Sequence, residues 1–236
     1  MRQSLHYLTA DSLAFPSPHL ALNDPNGLLA VGGDLSPQRL ISAYSQAIFP
    51  WFNEDDPLMW WSPTPRAVIP VNEIKVNRTL SKFIKKSSYQ VTLNHAFDQV
   101  IAQCAQAPFR HDDTWIVKEM QLAYQRLHQL GYAHSIEVWA DGKLVGGLYG
   151  VAINGFFSGE SMFYQLTNAS KVALISLATL LKSANIELID CQIINPFLKD
   201  MGAIEINRKT FMKSQQQAII QKLPIDFWQK KSLPIQ

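Results

Sequence analysis

The sequence contains little that would direct the chain to an oxidising compartment or into a membrane. Its 236 residues include two cysteines, Cys104 and Cys191, which form neither a CxxC pair nor a disulfide framework. The first residues, MRQSLHYLTADS, lack the apolar segment of a secretory signal. The uncharged run 144–159 is glycine-rich and shorter than the ~20 residues that a spanning helix needs. These absences predict a soluble cytoplasmic protein that makes no membrane contact.

Excess charge and metal-binding patterns are also scarce. The net charge is +2, so no global field attracts a polyanion, and a nucleic-acid site has to arise from local clustering. The six histidines show no HExxH or related spacing, and 111–113 (HDD) is typical of an exposed loop. No metal site is therefore predicted. The 47% of hydrophobic residues is nevertheless enough for a globular core.

The composition changes near residue 66, which predicts a small N-terminal domain, 1–66, and a larger domain, 67–236. The first part is rich in Pro, Gly and Asn. It contains one clear helix, with Ser36 as its N-cap and Pro37 at the first helical position, where a missing N–H does no harm.

The second part alternates between helical and strand patterns. Asp141-Gly142 and Asn154-Gly155 are hairpin signals between apolar runs and predict a three-stranded meander. The other predicted elements are helix 75–86, strand 89–93, helix 116–130 between Thr114 as N-cap and Gly131 as stop, helix 169–184 and strand 186–194. Meander, helix and strand in this order predict an α+β fold whose larger domain is a mixed sheet of the N-acetyltransferase-like (GNAT-type) kind. Topology alone carries no function.

A basic segment without acidic residues lies in the first predicted helix of the larger domain. Its members are Lys75, Arg78, Lys82, Lys85 and Lys86. Helical spacing places four of them along one face, which suits a polyphosphate backbone. A merely solvated face is the alternative, although surface helices normally mix both signs. The residues alone leave both interpretations open.

Tryptophans form a second candidate feature, at Trp51, Trp60, Trp61 and Trp115. Aromatic side chains stack unpaired bases with about 1–3 kcal/mol each. Most tryptophans, however, are core or interface anchors, which is the more frequent role.

A third candidate combines Glu160, in the string GESMF, with Asp190 and Gln192, in DCQ. The first string is not a nucleophile elbow, because G-x-S-x-G lacks its last glycine. Alternation along a strand puts Asp190 and Gln192 on one face, opposite Cys191. Polar groups on apolar strands need partners, so these three either close a buried network or line a cleft.

The stretch YQLTNASK, at 164–171, bears on the choice of acyl donor. A coenzyme A-dependent N-acetyltransferase of this fold would carry a glycine-rich pyrophosphate loop here, and this stretch has no glycine. The residues therefore argue against coenzyme A.

Several long strings, in order along the chain, resemble the leucyl/phenylalanyl-tRNA–protein transferase family. They are NDPNGLLAVGGDLSP, AIFPWF, MWWSPTPR, HSIEVWADGKLVGGLYGV, GESMF, NASK and LIDCQ, within about residues 13–229. The resemblance implies a small domain packed on an N-acetyltransferase-like domain. It also implies transfer of leucine or phenylalanine, with methionine as a further donor, from aminoacyl-tRNA to proteins that begin with arginine or lysine. Such transfer marks proteins for degradation by the N-end rule pathway and needs no cofactor; a monomer is the default expectation.

The same resemblance assigns roles to particular residues. Trp51 and Trp115 would sandwich the terminal adenosine of leucyl-tRNA or phenylalanyl-tRNA, and the basic helix would track the acceptor stem. The donor side-chain pocket would be built from Leu148, Phe157, Met162, Leu174, Leu177 and Ile189. Leu148 and Leu177 stand where relatives carry larger or softer residues, so the preference between leucine and phenylalanine stays open.

At the reaction centre, the resemblance implies catalytic roles for Asp190, Gln192 and Glu160. Gln192 would accept a hydrogen bond from the attacking amine, because an amide is too weak a base to take its proton. Asp190 would orient Gln192 or attract the cationic acceptor, and Glu160 would anchor the α-amino group of the donor. The chain departs from the family at Phe197, where a histidine is usual, which puts the acceptor site in doubt. A coenzyme A-dependent acetyltransferase and a non-catalytic tRNA-binding module are the competing functions.

Overall fold

Two mixed β-sheets organise the chain. The computed structural model describes residues 4–107 and 114–235, so the predicted loop 111–113 lies outside the described residues. One sheet has four strands and the other has eight. Together with the helices they form a mixed α/β architecture.

The smaller sheet is built from the N-terminal part of the chain. Its elements are β1 (His6–Leu8), β2 (Leu28–Gly32), helix α1 (Pro37–Tyr44), β3 (Phe49–Pro50) and β4 (Met59–Trp61), and the strand order is β1-β2-β4-β3. The prediction for α1 is confirmed: Pro37 is its first residue and the Ser36 side chain accepts a hydrogen bond from the Arg39 amide at 3.4 Å. Strand β1 runs parallel to β2, and the other pairs are antiparallel.

The larger sheet begins directly after the smaller one. Its elements are β5 (Arg66–Pro70), α2 (Arg78–Lys86), β6 (Gln90–Leu93), α3 (Phe97–Ala105), α4 (Lys118–Gln129), β7 (Ala133–Ala140), β8 (Lys143–Ile153), β9 (Phe156–Tyr164), α5 (Ala169–Ser183), β10 (Leu188–Gln192), α6 (Pro196–Asp200), β11 (Ile204–Ile206), α7 (Arg208–Ile220) and β12 (Lys231–Leu233). The strand order is β11-β5-β10-β9-β8-β7-β6-β12. Only the pairing of β9 with β10 is parallel within the described part of this sheet.

The predicted meander is confirmed as β7, β8 and β9, joined by tight turns. Asp141 and Gly142 have φ values of 49° and 73°, the left-handed conformation that a two-residue hairpin of this kind requires. Asn154 has a φ of 51° at the next turn. Asn, Asp and Gly adopt this region with the least strain, which is why these dipeptides predicted the turns.

The two faces of the larger sheet are covered differently. Helix α5 packs on one face, over Leu148 and Ile189. Helices α3 and α4 pack on the other face, where they share a core with residues of the smaller sheet such as Trp60 and with Tyr44 of α1. The N-terminal segment therefore contributes to the same hydrophobic core as the larger sheet.

Two predicted helix starts are wrong. Helix α2 begins at Arg78, capped by the Asn77 side chain, so Lys75 lies before the helix and not on its face. Helix α4 begins at Lys118 after Val117, without a side-chain cap. Thr114 instead accepts a hydrogen bond from the Ile116 amide at 3.2 Å, a local turn that competes with helix capping.

Strand β10 is shorter than the predicted 186–194. It ends at Gln192, whose φ of 56° is incompatible with an extended strand, and the pairing with β5 shifts register between Asp190 and Gln192. Among the described residues, no helix has both the length and the apolar character needed to cross a membrane.

Candidate active site

A cleft opens where strands β9 and β10 part. Their parallel pairing ends at Ser158 and Asp190. Beyond this point the cleft, with a volume of about 790 Å³, lies between residues of β9 such as Glu160 and residues of β10 such as Gln192. It has room for a ligand of substantial size. We call the part lined by Glu160 and Gln192 its polar end and the part lined by Leu148 and Leu174 its apolar end.

Asp190 lies behind the polar end of the cleft, with both carboxylate oxygens in use. The Arg66 guanidinium donates from Nε to Oδ1 at 2.8 Å and from Nη2 to Oδ2 at 2.7 Å. The backbone N–H of Gln192 donates to Oδ1 at 3.1 Å, and the Ser158 hydroxyl lies 3.0 Å from Oδ2. Asp190 is 1% exposed and does not line the cleft. It belongs to a buried ion pair.

Gln192 reaches the cleft with a defined amide orientation. Its Nε2 lies 2.8 Å from the Ser158 hydroxyl oxygen and 3.3 Å from Oε1 of Glu160. In its ionised form Glu160 only accepts hydrogen bonds, so the NH₂ end of the Gln192 amide faces the charged carboxylate. Within the described part of the chain, Oε1 of Gln192 is left as a free acceptor on a side chain that lines the cleft.

The strand alternation that predicted this arrangement holds only in part. Asp190 and Gln192 do meet, through Ser158. Cys191 lies on the face opposite Asp190, as expected, because Ile189 and Cys191 line the cleft and Asp190 does not. Gln192 was expected on the face of Asp190, yet it lines the cleft beside Cys191, because the register shift after Asp190 ends regular alternation. Burial raises the pKa of the Cys191 thiol, which disfavours a thiolate there.

Glu160 is surrounded by hydroxyl groups. Tyr124 donates a hydrogen bond to its Oε2 at 3.1 Å, and the Tyr124 hydroxyl is in turn bonded to that of Tyr44. The Ser158 hydroxyl lies 3.2 Å from Oε1. Burial raises the pKa of Glu160 to about 7, and the nearby charge of Asp190 acts in the same direction, against these hydrogen bonds. Burial likewise raises the pKa values of both tyrosines.

The apolar end of the cleft contains five of the six predicted pocket residues. These are Leu148, Met162, Leu174, Leu177 and Ile189. Phe157 is the exception: it does not line the cleft, so its predicted place in the lining is wrong. Its ring occupies the space above Gly150, where an added Cβ would lie 2.5 Å from the ring, and it stacks on Trp228 at 5.7 Å. Phe157 therefore supports the wall from behind.

The four tryptophans separate into two groups. Trp51, 38% exposed, and Trp115 line the cleft. Trp60 and Trp61 are buried in the core, as is usual for tryptophan. Trp61 holds the backbone at Trp51 in place, because its indole N–H donates to the Trp51 carbonyl at 2.7 Å.

The predicted basic residues lie on the protein surface rather than in the cleft. All five side chains are exposed. They are Lys75, which precedes α2, and Arg78, Lys82, Lys85 and Lys86, which belong to it. The buried residues of α2, Leu80 and Ile84, anchor the opposite side of the helix.

Sequence reasoning missed Arg66, Ser158, Tyr44 and Tyr124. Ser158 carried a signal, since it lies two residues before Glu160 and therefore on the same face of the strand. Arg66 also carried one, because a single charge at the start of the apolar strand RAVIP needs a buried partner. The tyrosines gave none, because they come from helices distant in sequence. Among residues 4–107 and 114–235, no group of three potential ligands is arranged to hold a metal ion.

Two of the solved structures that match this chain show remote likeness. The structure of L-PGS from Bacillus licheniformis has a TM-score of 0.39 at 10% identity, covering 71% of this chain and 54% of that one. The ribosomal-protein-alanine N-acetyltransferase from Brucella melitensis has a TM-score of 0.31 at 17% identity, covering 48% of this chain and 86% of that one.

Comparison with protein families and curated sequences is specific. Residues 68–216 match the family model described as leucyl/phenylalanyl-tRNA protein transferase, and residues 33–64 match its N-terminal domain. The leucyl/phenylalanyl-tRNA–protein transferase of Colwellia psychrerythraea is 61% identical, with 100% of both chains covered. That of Shewanella halifaxensis is 51% identical over 99% of both chains. The chain belongs to the leucyl/phenylalanyl-tRNA–protein transferase family.

Proposed function

We propose that this protein transfers leucine, phenylalanine or methionine from aminoacyl-tRNA to the α-amino group of proteins that begin with arginine or lysine, marking them for degradation by the N-end rule pathway. The observation that carries the proposal is the cleft itself, in a chain of this family. Its apolar end suits a leucine or phenylalanine side chain, and its polar end presents Gln192 and Glu160. No group in the cleft has to form a covalent intermediate.

The reaction is the aminolysis of an ester. The acceptor α-amine attacks the carbonyl carbon that joins the amino acid to the terminal ribose. A C–N bond forms, the C–O bond to the ribose breaks, and the amine loses a proton while the ribose oxygen gains one. Because the ester is already activated, positioning and electrostatic stabilisation supply most of the acceleration.

Gln192 aligns the attacking amine and Asp190 holds Gln192. The support is the amide orientation, which points Oε1 of Gln192 away from Glu160 as a free acceptor for an amine N–H among the described residues. Asp190 has its charge paired with Arg66 and does not line the cleft. This geometry favours orientation of Gln192 over direct attraction of the acceptor.

Glu160 binds the α-amino group of the donor. It is the only carboxylate among the described residues that line the cleft. A carboxylate whose pKa is raised to about 7 gains its charge when an ammonium group arrives, because the cation offsets the burial that raised the pKa. The donor is thereby held by its side chain and by its α-amine at once.

The remaining contacts hold the tRNA end. Trp51 and Trp115 stack on the terminal adenosine, supported by their position in the cleft and by the 38% exposure of Trp51. Lys75 and the exposed basic residues of α2 contact the phosphates of the acceptor stem. The donor side chain enters the pocket of Leu148, Met162, Leu174, Leu177 and Ile189, with Phe157 behind it.

We further propose that the chain comprises a small domain, 1–66, and a catalytic domain, 67–236, of the N-acetyltransferase-like kind. The support is the meander followed by α5 and a strand parallel to β9. The protein acts in the cytoplasm as a monomer. Cys104 and Cys191 form no disulfide bond, which is compatible with a reducing compartment.

A donor competition tests the proposal. The protein is incubated with an arginine-initiated peptide and either labelled phenylalanyl-tRNA or labelled acetyl-CoA. Label is expected on the peptide from the tRNA only. Labelling from acetyl-CoA alone would support an acetyltransferase, and tRNA binding without transfer from either leucyl-tRNA or phenylalanyl-tRNA would support a binding module.

A further inference from the structure

Arg66 lies directly behind the proposed reaction centre, bonded to Asp190, yet it does not line the cleft. Its side chain is 2% exposed and forms two parallel hydrogen bonds with Asp190, at 2.8 and 2.7 Å. This fork-to-fork geometry fixes both the position and the rotation of the carboxylate. A lysine in this position would supply the charge without the second bond.

The guanidinium is itself held from two other parts of the chain. Its Cζ lies 4.7 Å from the centroid of the Phe49 ring and 4.7 Å from that of Phe211. Nη1 lies 3.5 Å from the carbonyl oxygen of Ala47. Phe49 belongs to β3 and Phe211 to α7, so Arg66 is clamped between the smaller sheet and the C-terminal helix.

The path from Arg66 to the cleft is short. Asp190 accepts from the backbone amide of Gln192 at Oδ1, and this bond accompanies the left-handed φ of 56° at Gln192. Oδ2 lies 3.0 Å from the Ser158 hydroxyl, whose oxygen accepts from Nε2 of Gln192 at 2.8 Å. Both the backbone and the side chain of Gln192 therefore depend on where the Asp190 carboxylate lies.

We propose that Arg66 is a positioning residue for aminoacyl transfer, which holds Asp190 so that Gln192 presents its amide oxygen to the attacking amine. This inference rests on the proposed function. Arg66 never touches substrate; it acts through Asp190 and Ser158. A buried carboxylate without its cation would be strongly unfavourable, so loss of Arg66 releases the carboxylate from its fixed position.

Chemical rescue tests the proposal. Arg66→Ala leaves a space between the rings of Phe49 and Phe211 that has the size and shape of a guanidinium ion. We expect kcat for phenylalanyl transfer to fall roughly 10²-fold, with little change in KM for phenylalanyl-tRNA, because misplacement affects the chemical step. Guanidinium chloride, at concentrations far below those that unfold the protein, restores activity. Urea has a similar planar shape but no charge, and it does not.

Arg208→Ala is the matched control. Arg208 is partly buried, whereas Arg66 is fully buried; Arg208 donates to the Ser62 carbonyl, at 3.1 Å from Nε, and has no carboxylate partner among the described residues. Its loss is expected to lower the melting temperature without a response to guanidinium. If Arg66→Ala does not fold, Arg66→Lys replaces it, with reduced kcat and unchanged KM expected.

Three results would overturn the proposal. The first is a folded Arg66 variant with wild-type kcat, and the second is a variant in which only KM for phenylalanyl-tRNA changes. The third is a loss of activity in folded Arg66→Ala that neither guanidinium nor urea restores. Failure of the wild-type protein to transfer an amino acid would instead reject the proposed function. The two failures are therefore distinguishable.

Discussion

The side-chain nitrogen of Gln192 lies 3.3 Å from Oε1 of Glu160. When Glu160 is ionised, the contact determines the direction of the whole amide, because an ionised carboxylate cannot donate a hydrogen bond. Gln192 and Glu160 thus divide the polar end of the cleft, with an amide oxygen for the attacking amine and a carboxylate for the donor amine.

Removal of the Gln192 amide is expected to slow chemistry more than binding. In Gln192→Ala the amine loses its aligning acceptor, so kcat should fall by roughly 10²–10³-fold, the usual effect of deleting one preorganised group. Single-turnover transfer from bound phenylalanyl-tRNA measures this step. Gln129→Ala, at the exposed end of α4, is the control. A Gln192→Ala variant as fast as wild type would remove the amide from the mechanism.

Replacement of Glu160 by glutamine is expected to change the pH dependence of transfer. The pKa of Glu160 is raised to about 7, so its charge develops as the pH rises through that value. The ratio of wild-type to Glu160→Gln activity for the same acceptor peptide should therefore increase between pH 6 and pH 8, a window of about one unit on each side. A ratio that stays constant across this range would contradict a charged role for Glu160.

The same shift predicts a change in stability with pH. The folded-state pKa is raised above the ordinary value of 4.5, so folding is disfavoured as the unfolded chain ionises first. The penalty is absent below pH 4.5 and complete above about pH 7. Relative to wild type, Glu160→Gln should gain up to about 3 kcal/mol across this interval. Urea unfolding of both proteins at the two pH limits measures the gain, and parallel pH profiles would contradict it.

The donor pocket should respond to changes in its volume. Leu177 is 1% exposed and lines the apolar end. Leu177→Ala should favour phenylalanine over leucine by about 10-fold in kcat/KM, because the larger ring fills the space that leucine leaves empty. Competition between leucyl-tRNA and phenylalanyl-tRNA measures the ratio. Leu122→Ala, on the exposed side of α4, should leave it unchanged. An unchanged ratio in Leu177→Ala would place the donor side chain elsewhere.

Stacking by Trp51 should be visible in affinity for the tRNA end. Trp51→Ala should weaken binding of an aminoacyl-adenosine analogue by about 1–3 kcal/mol, whereas Trp51→Phe retains part of the stacking. Isothermal titration measures both. Trp139→Phe is the control, since Trp139 donates to Thr92 and does not line the cleft. Equal affinity in Trp51→Ala and wild type would exclude stacking there.

Much of the fold follows from local chemistry that the sequence displays. The Ser36-Pro37 start of α1 and the Asp141-Gly142 turn require particular residue types, and those residue types predicted both features from the sequence. The starts of α2 and α4 were not predicted correctly. Several residues near each start can cap a helix, and the sequence does not show that Asn77 caps α2 or that Thr114 forms a local turn instead.

The candidate site was only partly predictable for a different reason. Leu148 and Ile189 were assigned to the donor pocket by the family resemblance, and both line the cleft. Arg66 and Asp190 are 124 positions apart, and no local pattern joins them. The entry of Gln192 into the cleft follows the register shift between Asp190 and Gln192 in the pairing of β10 with β5, which the DCQ string itself does not display.

The most direct test of aminoacyl transfer is a mass spectrum of a short peptide that begins with arginine, recorded after incubation with the protein and phenylalanyl-tRNA. The predicted result is a gain of one phenylalanyl residue at the N-terminus, absent when the peptide α-amine is blocked. No gain with folded protein, from either phenylalanyl-tRNA or leucyl-tRNA, would contradict the account and make Phe197, at the edge of the cleft, the first residue to replace by histidine.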